Sequence, residues 1–312
     1  MIDVSIVIVC MNNLKNLYPC LESIRKYTHC NYEVLVTAFN FTDENYLKVV
    51  EDFPWVKITR SQGIVGFSEN NNISLQQAKG EYCFVLNDDT YMDEPVIDKL
   101  LSSIKKLSKD VVVVSPDIRF PDGRYQVCGR PPQTWITYIL KQIHLWNENS
   151  PSKYINQKGL FQSYNILGAA FLIKTDIFKS IGFFDERYYF CPEDIALSTK
   201  LNRMGYKCYV DANTKLFHIA GGSTWSPINN ALKPTGVKGS VIFFSDGSPI
   251  KYLVIAIVVF LTRFIQYILW SLKSTNDNKK ATIQAQSNLN VCKEIFSKRT
   301  PKEIFTKYYN HR

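Results

Sequence analysis

Short apolar runs rich in β-branched residues alternate along the chain with segments whose apolar positions recur every three or four residues. That alternation predicts strands and helices in turn. "VSIVIVCM" (4–11) reads as a strand buried on both faces. Leu14, Leu17, Leu21 and Ile24 follow at helical spacing, with Pro19 predicting a late start to the regular helix. "YEVLVTAF" (32–39) is a second strand, Thr42 caps a helix over 43–52, and "WVKITR" gives a third strand. "GIVGFSENN" leads into a helix over 69–79 closed by Gly80, and "EYCFVLN" is a fourth strand. This order predicts the α/β class: an open, mostly parallel, Rossmann-like sheet with helices on both faces. In such a sheet the ligand lies beyond the carboxyl ends of the strands.

Further along, Pro95 opens a helix reaching about Leu107, "VVVVSP" is another buried strand, and "FPDGRY" holds a Pro-Asp-Gly turn. Residues 130–160 lack a period and are rich in aromatics, so a loop or an acceptor-side insertion is expected there. Order returns with a strand over 169–174, a helix from Thr175, a second helix from about Glu193, and "KCYVDANTKLFHIAGG", which brings His218 to a strand end. Residues 1–245 are thus expected to form one domain and 246–312 a helical membrane-associating segment with a basic tail.

Composition sharpens this picture at the C-terminus. Of a formal net charge of +9, residues 271–312 carry +6, from nine Lys or Arg against three acids. The body is nearly neutral, and no nucleic-acid partner is expected. Hydrophobic residues at 46% exclude a disordered chain. Eight cysteines form no C-x-x-C pair, and several sit in apolar runs, which suits reduced, buried thiols in the cytosol. The N-terminus lacks a signal-peptide pattern, so the body is expected to stay in the cytoplasm.

"IKYLVIAIVVFLTRFIQYILW" (250–270) is long enough to span a bilayer, but Arg263 interrupts it, at about 2.5–3.5 kcal/mol if placed at the membrane centre. The uninterrupted part, Tyr252–Thr262, predicts an interfacial or partly inserted helix whose flanking Lys and Arg meet an anionic membrane surface. A helix buried against the main domain, or a contact between two copies in a homodimer, are the alternatives. Removal of everything after Ser248 is expected to leave a soluble, folded domain.

The candidate chemistry starts at "FVLNDDTYM", where a buried strand runs into Asn87, Asp88 and Asp89. Adjacent carboxylates leaving a sheet core are costly unless a cation compensates them. Mg2+ takes oxygen ligands and shares its sphere with phosphate, and Mn2+ also accepts an imidazole, so Asp89 and His218 can supply the protein side. An Asp-Asp pair also begins many surface loops, and a lone histidine is often structural. Glu193 and Asp194, at a helix start, are explained by capping and the macrodipole, or one of them takes a proton from an incoming hydroxyl. Gly63 and Gly66 complete neither the dinucleotide-binding nor the P-loop pattern.

"VSIVIVCMNN", "GFSENNNISLQQAKGEYCFVLNDDT", "GAAFLIKTDIFKSIGFFDERYYFCPEDIALSTKLNRMGY" and "KLFHIAGGST" resemble, in order and spacing, the inverting family 2 glycosyltransferases of the GT-A fold. The Leu-Asn-x-Asp-Thr of Leu86–Thr90 is similar to the rhamnosyltransferase-like branch. The resemblance covers roughly residues 3–245. It implies a nucleotide-diphosphate sugar donor, a divalent metal (Mg2+ or Mn2+) at Asp89 and His218, and a catalytic base at Asp194 with Glu193 beside it. Asn12, Asn40, Gly66, Asn70, Asn87 and Asp88 are then the expected donor contacts. It further implies a lipid-linked oligosaccharide acceptor in O-antigen or capsule synthesis, at the cytoplasmic face of the bacterial inner membrane. Three departures stand out: Ala38 where the family has a base-contacting Asp, Asn87 for the first acid of D-x-D, and Ala196 for the last acid of Glu-Asp-x-Asp. Two other functions compete. A sugar-1-phosphate nucleotidyltransferase would need a Gly-rich basic loop after the first strand, which "CMNNLKN" does not offer, and a degenerate carbohydrate-binding or scaffold protein would explain Ala38 and Ala196.

Overall fold

The strands form where β-branched runs meet the sheet: β1 (Val4–Cys10), β2 (Tyr32–Ala38), β3 (Val56–Arg60), β4 (Tyr82–Asn87), β5 (Thr90–Tyr91), β6 (Val111–Arg119), β7 (Gly129–Arg130), β8 (Leu160–Ser163), β9 (Asn165–Ile166), β10 (Ala170–Lys174) and β11 (Lys207–His218). The helices are α1 (Leu14–Tyr27), α2 (Asp43–Asp52), α3 (Phe67–Leu75), α4 (Val96–Lys106), α5 (Trp135–Gln142), α6 (Thr175–Ser180), α7 (Glu193–Arg203), α8 (Asn229–Ser245), α9 (Pro249–Leu272), α10 (Lys279–Glu294) and α11 (Pro301–Tyr309). The computed structural model describes residues 1–147, 149–150, 152–155, 157–219, 226–275 and 278–310.

Two compact units result: residues 1–132, 149–185 and 194–220, and residues 133–148, 186–193 and 221–312. The first holds the main sheet, ordered β3-β2-β1-β4-β10-β6-β11-β5 with β8 on β11, while β7 and β9 pair separately. β1 runs parallel to β2 and β4, β2 to β3, and β6 to β11, whereas β10 lies antiparallel between β4 and β6. The mostly parallel sheet expected from the sequence is therefore present, and the carboxyl ends of β1, β2, β4, β6 and β11 share one edge. Strand order reverses between β1 and β4, the position at which open sheets of this kind take their ligand.

Both faces of the sheet are covered. One core packs Ile6, Ile8, Phe84 and Leu172 against Leu17, Leu21 and Ile24 of α1 and Leu100 and Ile104 of α4. The other packs Val7, Val85, Phe171 and Ile173 against Leu75 of α3, Phe178 of α6, and Leu197 and Leu201 of α7. All eight cysteines are free, and Cys10, Cys20, Cys83, Cys128 and Cys208 are buried.

Three local expectations fail for identifiable reasons. α1 starts at Leu14 with Pro19 inside it, because burial of Leu17, Cys20, Leu21 and Ile24 outweighs one lost backbone hydrogen bond. α3 ends at Leu75, so Gly80 caps no helix and has no left-handed φ. A Cβ there would sit 2.5 Å from the Ser5 nitrogen, so glycine is needed to let the chain approach β1. The stretch 130–160 is not wholly irregular. Thr134 and Thr137 cap α5 reciprocally, and Tyr138 of α5 is buried.

The second unit is helical. Tyr138 of α5, Val241 and Phe244 of α8, Ile255, Ala256 and Val259 of α9, and Val291 of α10 form its core. α8 thus belongs with the C-terminal helices, whereas the sequence reading had placed residues up to 245 with the sheet. α9 is an unbroken helix of 24 residues, about 36 Å long. Only Ile255, Ala256 and Val259 of it are buried, while Leu253, Ile257, Leu261, Ile265, Ile268 and Leu272 form an exposed apolar face. Arg263 follows Val259 by four residues on the inner side, where it donates to Gln142 and Gln266. It therefore does not interrupt the outward face.

The basic tail is folded rather than free. Glu294, with a side chain 1% exposed, accepts from Lys307 (2.6 Å), Tyr308 (2.9 Å) and Arg299 (3.1 Å). Asp277 and Arg312, counted in the tail charge, lie outside the described residues.

Candidate active site at the carboxyl edge of the sheet

β4 delivers Asn87 to the carboxyl edge, and the turn into β5 carries Asp88 and Asp89. β11 ends there with His218, held against Thr90 by the antiparallel β5 pairing and against Asp89 by a hydrogen bond from the Ile219 nitrogen to the Asp89 carbonyl (2.9 Å). Asp89 Oδ1 lies 3.1 Å from His218 Nε2, and both side chains remain partly exposed. Two residues separated by most of the sheet domain's sequence thus meet because β5 turns back onto β11.

A third residue fixes how they meet. Gln126 Nε2 donates to the His218 carbonyl (2.7 Å), which leaves Gln126 Oε1 facing His218 Nδ1 at 2.9 Å. Nδ1 must then carry a hydrogen, so a ring without a second proton presents the Nε2 lone pair to the Asp89 carboxylate. A lone pair facing a carboxylate at this distance calls for a proton or a cation between them. Among the described residues no group of three or more His, Cys, Asp or Glu side chains forms a complete metal site. One carboxylate, one imidazole and an oriented tautomer nevertheless fit a divalent ion that takes its remaining ligands from phosphate oxygens and water.

Asp88 precedes Asp89 at the same turn. Burial pushes its carboxyl up to about 7, the Asp89 charge adds to the rise, and the Cys10 thiol's hydrogen bond opposes it. The Asn87 side-chain oxygen is buried without a partner at the same turn.

Asp194, at the start of α7, is tied to this edge through the backbone. Its Oδ2 accepts from the Gly168 nitrogen (3.1 Å), and the carbonyl of the next residue, Ala169, accepts from the Asn87 nitrogen (2.9 Å). A Cβ at Gly168 would lie 3.2 Å from the Asp194 Cβ, a tight contact that would press on this carboxylate. Arg130 Nη1 approaches the same Oδ2 at 3.6 Å, and Oδ1 accepts from the Ile195 nitrogen (2.8 Å). Glu193, in the helical unit, is 9% exposed and accepts from the Cys191 nitrogen (2.6 Å).

The remaining sequence candidates occupy the loops of this edge. Asn12, with φ of 49°, follows β1 and accepts from the Asn45 side chain (2.9 Å). Asn40, with φ of 54°, follows β2, where the neighbouring Ala38 is buried. Gly66 opens α3 and donates to Glu69 (2.7 Å), while Asn70 donates to the Gly66 carbonyl (2.8 Å) and keeps its buried Oδ1 without a partner. Ala196 is buried in α7. The structure brings Asp88, Asp89 and His218 together, whereas Gly66 and Asn70 bond locally at the start of α3 and Asn12 accepts from Thr42 and Asn45 beyond β2. The 220–224 end of the "KLFHIAGGST" motif lies outside the described residues. Sequence reasoning missed Gln126, Arg130 and Gly168. Gln126 and Arg130 fall in or beside stretches without a period, where nothing local marks them, and Gly168 opens the quoted "GAAFLIK" stretch without any sign of its contact with Asp194.

A mostly parallel sheet with two acids and a histidine at its carboxyl edge has the architecture of the GT-A glycosyltransferases. The model of glycosyl transferase family 2 matches residues 5–182, and the chain belongs to that family. It is 26% identical over 228 residues to the O-antigen biosynthesis protein RfbC of Myxococcus xanthus, covering 67% of this chain but 16% of the relative. It is 24% identical over 244 residues to the N-acetylglucosaminyl-diphospho-decaprenol L-rhamnosyltransferase of Mycobacterium tuberculosis, covering 72% of this chain and 78% of that one. Among solved structures, the mannosyltransferase PcManGT of Pyrobaculum calidifontis, in complex with GDP-Man and Mn2+, shares the fold with a TM-score of 0.56 and 13% identity over 95% of this chain and 88% of its own. GalNAc-T7 with UDP, GalNAc and Mn2+ does so with a TM-score of 0.57 and 18% identity over 72% of this chain and 44% of its own.

Proposed function

We propose that this family 2 glycosyltransferase moves a sugar, with inversion, from a nucleoside-diphosphate donor to a saccharide carried on a lipid, in the building of a bacterial surface polysaccharide. The observation that carries this reading is the Asp89–His218 pair with Gln126 behind the imidazole. The names of the Myxococcus and Mycobacterium relatives support the polysaccharide setting, and the second supports rhamnose as the sugar. Mg2+ or Mn2+ held by Asp89 and His218 would neutralise charge on the departing diphosphate.

The chain's own residues do the rest. Asn12, Asn40, Gly66, Asn70, Asn87 and Asp88 line the strand ends and loops that receive the donor. The Asp194 carboxylate takes the proton of the acceptor hydroxyl as its oxygen attacks the anomeric carbon from the face opposite the nucleotide. The bond to the diphosphate oxygen breaks, the nucleoside diphosphate leaves with that electron pair, and the configuration inverts. Gly168 and Arg130 hold the Asp194 carboxylate in place for this. Glu193 has a backbone partner at the helix start and serves the local turn.

The exposed face of α9 supports docking on the cytoplasmic face of the inner membrane, lying in the interface, since its other side packs on protein. Calorimetry of a nucleoside diphosphate binding to the purified chain tests the metal-dependent donor site. Binding strengthened at least about tenfold by Mn2+ is expected, and equal affinity with and without metal would remove the Asp89–His218 assignment.

A further inference from the structure

The helical unit contains two cations that the proposed transfer chemistry does not use. Arg263 donates from Nη2 to Gln142 of α5 (2.8 Å) and from Nη1 to Gln266 (2.9 Å), and its Nε is buried without a partner. Lys233 of α8 donates to Gln284 of α10 (3.1 Å). Among the described residues neither side chain forms an ion pair with a carboxylate. Burial, with the Arg263 charge beside it, pushes the Lys233 ammonium down to about 7.

The same unit shows what compensated charge looks like. Lys238 caps the end of α10 by donating to the carbonyls of Ile295 (3.1 Å) and Ser297 (2.7 Å) and to the Tyr252 hydroxyl (2.6 Å), and Glu294 gathers three donors. Among the described residues, Arg263 and Lys233 donate only to neutral amide oxygens. Two like charges set close together in a poorly hydrated place pay both desolvation and repulsion, and a dianion offsets both at once. Two of the five guanidinium N–H groups are used, so three remain for a planar, charge-assisted contact, and the ammonium adds a point charge.

The location narrows the ligand. Arg263 lies on the side of α9 opposite its exposed apolar face, roughly 10 Å across the helix. With that face in the acyl boundary, the guanidinium stands at the depth of lipid phosphates. We propose that Arg263 and Lys233 form a binding site for a lipid-borne phosphate group, with Gln142, Gln266 and Gln284 orienting the two cations. The site deepens the lipid-linked-acceptor reading and rests on it for the choice of the acceptor's diphosphate over bulk lipid.

The test uses the full chain and phosphatidylcholine vesicles, plain, doped with a long-chain alkyl diphosphate, or doped with phosphatidylglycerol at matched charge. Wild type is expected to bind the diphosphate vesicles at least about tenfold more tightly than plain ones, with inorganic pyrophosphate competing. Arg263→Gln and Lys233→Gln should lose that enhancement while still binding plain vesicles through α9. Lys233→Gln, which alters one partly exposed side chain, keeps the test decisive if Arg263→Gln lowers the melting temperature. No enhancement in wild type, or enhancement retained in a folded Lys233→Gln, overturns the site. The same mutational loss with phosphatidylglycerol overturns the acceptor as the source of the phosphate. Mn2+-dependent nucleoside-diphosphate affinity, measured on the same variants, is expected to be unchanged and reports separately on the donor-site reading.

Discussion

Replacing Gln126 by leucine probes the link between fold and chemistry. The glutamine is 7% exposed and holds His218 by two hydrogen bonds, one at the backbone carbonyl (2.7 Å) and one at Nδ1 (2.9 Å). Leucine removes both, and each buried group left without a partner costs about 1–3 kcal/mol, so the melting temperature should fall. The larger consequence concerns the imidazole. Without an acceptor at Nδ1 the ring is free to rotate or to move its hydrogen to Nε2, which turns a lone pair directed at Asp89 into a donor. Losing an outer partner of a ligating histidine typically weakens metal binding 10–100-fold, or about 1.4–2.8 kcal/mol. The assay is titration of free Mn2+, read by its paramagnetic resonance signal, in the presence of a saturating nucleoside diphosphate. Gln126→Glu separates the two roles. It restores an acceptor for Nδ1 but not the donor to the carbonyl, so metal affinity should recover while the melting temperature stays low. Gln126→Leu with a lowered melting temperature and unchanged Mn2+ affinity would refute the reasoning and leave Gln126 a structural residue.

Asp89→Ala and His218→Ala should each weaken Mn2+-dependent nucleoside-diphosphate binding, and the double variant should lose less than the sum, because both side chains would act through one ion. Calorimetry of the four proteins reads this, and full additivity would separate the two residues. A charge placed on the outward face of α9, as in Leu261→Glu or Ile265→Glu, should abolish co-sedimentation with vesicles while leaving the melting temperature unchanged, since neither side chain is buried. Glu294→Gln should lower the melting temperature, by less than loss of a fully buried ion pair would, because Arg299 and Lys307 keep access to water. Burial raises the Glu294 carboxyl, but Lys307, Ser297, Tyr308 and Arg299 more than offset this and hold it at about 2. Because that value lies below the unfolded one, near 4.3, the stabilisation is full above about pH 5 and is lost progressively as pH falls toward 2. Thermal melts across that window should fall more steeply for wild type than for Glu294→Gln.

What the sequence made legible follows from how local each signal is. Buried β-branched runs mark β1, β2, β4 and β6 without any partner in view, and a polar turn after β4 is visible as three letters. The adjacency of Asp89 and His218 was readable only through several motifs taken together, and the residue that orients the histidine was not. Gln126 acts across 92 positions, from a loop whose own pattern carries no period. Gly80 shows a different failure, in that a helix-capping glycine and one that admits a neighbouring strand look alike in one dimension. Arg263 shows a third. Within a linear window it breaks an apolar run, whereas on a helix packed through Val259 the same residue turns inward and the outward face continues. For this reason truncation after Ser248, expected from the sequence to spare the fold, should instead uncover Val241 and Phe244 of α8 and unfold the helical unit.

The most direct measurement follows labelled sugar from a panel of nucleoside-diphosphate sugars into organic-extractable lipid, using wild type and Asp194→Asn, each with Mn2+ and after chelation. Wild type should transfer label from one donor only when metal is present. Asp194→Asn should lose about 100-fold or more of that rate, as expected for a missing general base, while its nucleoside-diphosphate affinity stays close to wild type. Transfer by Asp194→Asn at more than about a tenth of the wild-type rate, or transfer indifferent to chelation, would contradict a metal-dependent inverting reaction with Asp194 as its base.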